Sequence, residues 1–124
     1  MNIPKSKEFD EYINLQEALH RVMEKSALYS KLLKTFVKNT YIEQLRFELE
    51  TNDLKNAQKT AHTIKGIAGN LSLTKLYNTI INLEEKLKEK SQYEQEMQEV
   101  EATLAKTLEF ANMVLEESSS GDNT

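Results

Sequence analysis

Of the two histidines in this chain, His20 and His62, only His62 has neighbours suited to chemistry. Near neutral pH an imidazole is largely uncharged, and one ring nitrogen then has a lone pair able to attack phosphorus. The product would be a dianion on the ring, which calls for a nearby cation. Lys65 lies three residues on, so on a helix it neighbours His62 and can pair with those oxygens. Gly66 follows at the fourth position, where glycine costs a helix about 0.5–1 kcal/mol relative to alanine. Its missing side chain would leave room beside the imidazole for another protein. His20 has no Lys-Gly neighbour and takes no role. With no cysteine, two distant histidines and scattered carboxylates, the sequence offers no metal-ligand set and no catalytic triad.

The element that must carry these residues is a helix. Leu54, Ala57, Ala61, Ile64, Ala68 and Leu71 recur at spacings of three and four, a regular buried stripe. At about 100° per residue, His62 falls well away from the centre of that stripe, on the solvent side. Lys55, Gln58, Lys59, Lys65, Gly66 and Gly69 share the exposed sector. Gly69 either extends the low surface by a turn or, with Asn70, forms a C-cap. For Gly66 a cap is a poor explanation, because the stripe continues past it.

Other segments supply the partners for this helix. Asn14 and Glu17 have capping-box spacing, with Glu17 reaching back, and predict a short first helix to about Glu24. From Ser26 a second helix is expected to run to about Glu50 on Leu28, Leu32, Phe36, Ile42, Leu45 and Leu49, with a kink or turn at Lys38-Asn39-Thr40. Asp53 starts the histidine-bearing helix. Ser72 or Thr74 starts a fourth on Leu76, Ile80, Leu83 and Leu87. Ser91 opens a fifth on Tyr93, Met97, Val100, Leu104, Leu108, Ala111 and Leu115. The expected organisation is an irregular arm over 1–9 around Pro4, a helical domain over 10–117 and a disordered tail over 118–124. Three glycines, one proline and an abundance of Leu, Glu, Lys, Ala and Gln point to an all-α fold: an antiparallel four-helix bundle with an additional short N-terminal helix.

Composition also narrows the function. A net charge of −4 argues against nucleic-acid binding, which usually needs a basic footprint. No apolar run approaches the roughly 20 residues of a membrane span, and the N-terminus lacks a signal-peptide pattern. A cytoplasmic monomer without membrane contact is the expectation.

The stretch from Ala61 through His62, Lys65, Gly66 and Gly69 to Leu71 resembles the signature of histidine phosphotransfer (HPt) domains. Leu76 and the later Leu83-Glu84 match further positions of that pattern. The run from Asn14 to Phe36 and the approach from Leu49 to Ala57 also resemble the bacterial domains, which commonly sit at the end of hybrid sensor kinases. The likeness covers roughly residues 14–115. It implies that His62 accepts a phosphoryl group from an aspartyl-phosphate of one response-regulator receiver domain and passes it to another. Lys65 would support the phosphate, and Gly66, Gly69, Gln58, Lys59 and Lys55 would form the receiver-docking face. No cofactor is expected on this chain, since Mg²⁺ belongs to the receiver. With no nucleotide-binding segment, the chain would be a phosphoryl carrier rather than an enzyme. Ser72 departs from the family pattern, which usually has glycine there.

Glu84 has two readings. Its offset from His62 resembles that of a glutamate in the phosphotransfer domain of chemotaxis kinases, where the carboxylate orients the imidazole. The favoured reading is a solvated side chain paired with Lys88 four residues on. The alternative for the whole chain is a non-phosphorylated helical adaptor that binds a partner protein.

Overall fold

The computed structural model describes the backbone of residues 6–122 and the side chains of residues 6–116. Its helices are α1 (Lys7–Tyr12), α2 (Leu15–Arg21), α3 (Ser26–Lys38), α4 (Ile42–Glu50), α5 (Leu54–Asn70), α6 (Thr74–Glu89) and α7 (Glu94–Asp122). No strand occurs among the described residues, in line with the all-α expectation. Helix α5 packs on α4 and α6, α6 on α7, and α7 on α3, which closes the four-helix bundle. Helix α1 lies against α6 and α7, and α2 against α3.

The histidine-bearing helix α5 is set by its alanines. Ala57, Ala61 and Ala68 are buried together with Ile64, facing the buried Leu76, Ile80, Leu83 and Leu87 of α6. Small residues let the α5 backbone approach its neighbours, and the branched side chains opposite fill the gap. Truncating one of the buried leucines or isoleucines to alanine would cost about 2–5 kcal/mol. Asp53 caps the start of α5, its carboxylate accepting from the Asn56 N–H at 3.5 Å. Beyond Asn70 the chain turns through Ser72, whose φ of 56° lies in the left-handed region. Thr74 then opens α6 without a side-chain cap, so Ser72 is not the helix start suggested by its type.

The helix expected from Ser26 to Glu50 is two helices. Tyr41 adopts φ 66°, and polar side chains take over the local backbone: Asn39 Oδ1 accepts from the Tyr41 N–H at 3.0 Å, and Thr40 Oγ1 from the Ile42 N–H at 3.3 Å. Leu28 and Leu32 also depart from their expected core positions, being 42% and 43% exposed.

The N-terminal arm needs a further correction. Residues 7–9 belong to α1, capped by Ser6 Oγ accepting from the Phe9 N–H at 3.0 Å. Phe9 is buried and meets Phe110 edge-on at 5.3 Å, while Tyr12 tilts against the same ring at 5.6 Å. Glu8 pairs with Lys106 at 3.1 Å and Glu11 with Lys75 at 3.8 Å. Covering this face of α7 moves its core stripe, so Phe110 and Val114 are buried where Leu108 and Leu115 were expected. Helix α7 starts at Glu94 rather than Ser91, and its backbone stays helical to Asp122 through the segment expected to be disordered from 118. Residues 1–5 of the expected arm and 123–124 of the expected tail lie outside the described residues.

Candidate functional site

His62 sits midway along α5 with its side chain 71% exposed. The off-stripe position predicted from the helical wheel is therefore the observed one. Its Nδ1 lies 3.2 Å from Glu84 Oε2 on α6. An ionised carboxylate has only lone pairs to offer, so Nδ1 carries the hydrogen and donates. In the neutral ring Nε2 is then the unprotonated nitrogen.

Glu84 is a correction to the sequence reading. It is 6% exposed, not solvated, and it makes no ion pair with Lys88. Its second oxygen, Oε1, accepts from Lys65 Nζ at 2.7 Å. One carboxylate thus bridges the imidazole and the lysine. Burial pushes the Glu84 carboxyl up, but hydrogen bonds from Lys65 and His62, with the charges of Lys65 and Lys88, outweigh it and leave the group below the usual carboxylate range. The same bond raises Lys65 above its ordinary value. The signal was present in the sequence: Glu84 is four residues from Ile80 and three from Leu87, so it borders the core stripe of α6.

The two glycines separate on inspection. A side chain added at Gly66 would meet nothing within 4 Å, so packing does not require glycine there. At Gly69 an added Cβ would lie 3.3 Å from the Tyr77 ring, and the space is already used by that aromatic side chain. Gly69 is inside α5 with an ordinary φ, and the left-handed residue after the helix is Ser72, so Gly69 is not the cap. Gln58 turns toward α6, its amide donating to the Leu87 carbonyl at 3.4 Å. Lys55 and Lys59 stand exposed on the N-terminal half of α5.

Two depressions flank the C-terminal half of this helix, neither foreseen in the sequence. On the α3 side an apolar groove of about 300 Å³ is lined by Leu32, Phe36, Tyr41, Ile67 and Leu71 among others. On the α2 and α6 side a polar depression of about 470 Å³ involves Glu17, Arg21, Lys65, Gly66, Gly69 and Tyr77. Among the described residues no group of three or more His, Asp or Glu side chains is placed to hold a metal ion. No described helix is long and apolar enough to cross a membrane.

No curated protein and no solved structure matches the chain. The family model for the Hpt domain matches residues 32–117, a segment that runs from α3 into α7 and includes His62, Lys65 and Glu84. The match spans most of the chain, over the same helices that place an exposed imidazole above a buried carboxylate; the chain belongs to the Hpt domain family, the histidine phosphotransfer modules of phosphorelays.

Proposed function

We propose that His62 is the phosphoryl-carrying residue and that it relays the group between aspartates of receiver domains. The observation that carries this reading is the His62–Glu84–Lys65 bridge. It ties Nδ1 down and leaves Nε2 free at an exposed surface. In the forward step Nε2 attacks the phosphorus of a receiver's aspartyl-phosphate. The N–P bond forms as the P–O bond to the carboxyl breaks, and the receiver's aspartate leaves as a carboxylate. The hydrogen on Nδ1 stays in place, so the ring becomes cationic with its charge shared onto the nitrogen that faces Glu84. That carboxylate stabilises the charge as it develops and keeps the ring from turning. Donation to the next receiver is the same step reversed.

Lys65, three residues on from His62 and bonded to the same carboxylate, is the cation that would meet the phosphoryl group. A rotation of its side chain exchanges Glu84 for phosphoryl oxygens. Gly66 leaves open space one turn from His62, which supports close approach of a receiver. The apolar groove beyond it, with Leu32 and Ile67, suits the non-polar part of the same contact. Lys55 and Lys59 would draw in an acidic receiver surface. Gly69 and Gln58 contribute by shaping the ridge rather than by direct contact. The chain is read as a cytoplasmic monomer that serves receiver domains and a hybrid sensor kinase, with Mg²⁺ carried by the receiver.

Incubation with a phosphorylated receiver tests the assignment. Acid-labile, base-stable label is expected on the wild type and none on His62→Gln. Label that persists on the variant would place the phosphoryl group elsewhere.

A further inference from the structure

The departure at Ser72 has a structural role. Ser72 is buried with φ 56°, a conformation that favours glycine, yet it is a serine. Its Oγ donates to Glu17 Oε1 at 2.9 Å, and its carbonyl accepts from the Asn14 N–H at 3.0 Å. The turn that ends the histidine helix is thereby tied to α2. Glu17 does not reach back to complete the expected capping box. Only the Asn14 half forms, with Oδ1 accepting from the Glu17 N–H at 3.2 Å. The Glu17 carboxylate instead bonds Ser72 and receives Arg21 Nε at 3.4 Å.

This chain of contacts places Arg21 in the polar depression that also contains Lys65 and Gly66. Glu17 takes both Ser72 and Arg21 on its Oε1, and Glu84 takes His62 on Oε2 and Lys65 on Oε1. Arg21 is half exposed, and among the described residues its terminal amino groups have no partner. Arg21 and Lys65 bring two cations to this rim, and the open amino groups of Arg21 suit an acceptor on a complementary surface. Lys65 and Gly66 line this depression and lie within one turn of His62 on α5, so a body seated over the histidine meets its edge.

We propose that Arg21, positioned by Ser72 and Glu17, is a specificity-determining contact for an acidic side chain of the receiver. This rests on the reading of His62 as the phosphoryl carrier. Helix α2 precedes the segment 32–117 matched by the family model. A contact from α2, beside the histidine helix rather than on it, can distinguish receivers that all fit the histidine.

The test compares transfer from the phosphorylated full chain to a panel of receiver domains with loading of the chain by phosphoramidate, a small donor that needs no docking. Arg21→Glu is expected to lower kcat/KM for the preferred receiver about tenfold, mainly through KM, and to reorder the panel. Arg21→Lys should retain most of the preference. Ser72→Gly should lose part of it while the bundle stays folded by circular dichroism, because the turn accepts glycine and only the anchor is removed. Phosphoramidate should label all three variants like the wild type. Unchanged receiver kinetics across the panel for Arg21→Glu would overturn the proposal. Failure of phosphoramidate and receivers alike to label wild-type His62 would instead overturn the carrier reading beneath it.

Discussion

Two glutamates, Glu84 and Glu48, are buried in the same bundle, and their surroundings differ in every respect that matters for chemistry. Glu84 has both oxygens engaged, one by the imidazole of an exposed histidine and one by a lysine. Glu48 on α4 has Oε2 bonded by the Gln44 amide at 3.3 Å, which also donates to Thr60 Oγ1 at 3.1 Å. Its Oε1 is buried with no hydrogen-bond partner. Burying a carboxylate is costly in both places. At Glu84 the partners offset the cost and are the groups proposed to carry out phosphoryl transfer, whereas at Glu48 one oxygen is left without compensation. Burial of a charged group is thus no sign of function on this molecule; what distinguishes the two is the identity of the groups that face them.

The largest way to break that contrast is Glu84→Ala. It frees the imidazole to rotate and removes the charge opposite Nδ1, and phosphotransfer rates to a receiver should fall on the order of 10²-fold. A rate within twofold of wild type would show that the ring needs no orienting partner. Lys65→Ala makes Glu84 resemble Glu48 by leaving one of its oxygens without a cation. Transfer should fall about tenfold through the lost phosphate contact, with lower thermal stability but an intact helical spectrum. Unchanged kinetics would reduce the lysine to a surface charge. Glu48→Met works in the opposite direction. Replacing the uncompensated carboxylate by an apolar side chain of similar length should stabilise the bundle by about 1 kcal/mol and raise Tm by about 4 °C. Transfer kinetics should not move, and a loss of transfer would make Glu48 part of the site.

The smallest effect expected is on pH dependence. The Glu84 carboxyl is held below its ordinary value of 4.5 in the fold. Its pairing therefore contributes stability that is fully present above that value and is lost as pH falls through the lower folded value. Urea melts of wild type and Glu84→Gln should show a difference that is constant near neutrality and narrows only below about pH 4.5. A difference that narrows between pH 7 and 5 would contradict the assigned direction.

The sequence resolved the histidine helix well because its pattern is local. The stripe from Ala57 to Ala68 fixes which face is buried, and that alone puts His62 and Gly66 outward. It resolved Glu84 poorly because the deciding contacts come from 22 and 19 residues away, across two helices. The pairing with Lys88 was the reasonable local choice, and a tertiary contact overrode it. The same holds for Glu17, whose capping-box geometry was half realised because Ser72, 55 residues on, offered a better donor. Leu28 and Leu32 keep helical spacing yet face solvent, and periodicity cannot tell a core stripe from an apolar groove on the surface. Helix α1 is not legible in the sequence because six residues are too few to show a period, and its stability comes from Phe9 and Tyr12 against Phe110.

Tyr29 of α3 is buried, and its phenol donates to the Leu71 carbonyl at 2.9 Å, just past the last turn of the histidine helix. Burial also raises the phenol's ionisation far above its ordinary value. Helix α3 cannot peel away from the bundle without breaking that bond and stranding the carbonyl. Local fluctuations that would expose the wall of the apolar groove are therefore coupled to fraying at the end of α5. Amide protons of Leu71 and Leu73 should exchange with solvent together with those of the middle of α3, as one cooperative unit. The surface offered to partners is in this sense only as rigid as the core beneath it, and Tyr29 is the rivet between the two.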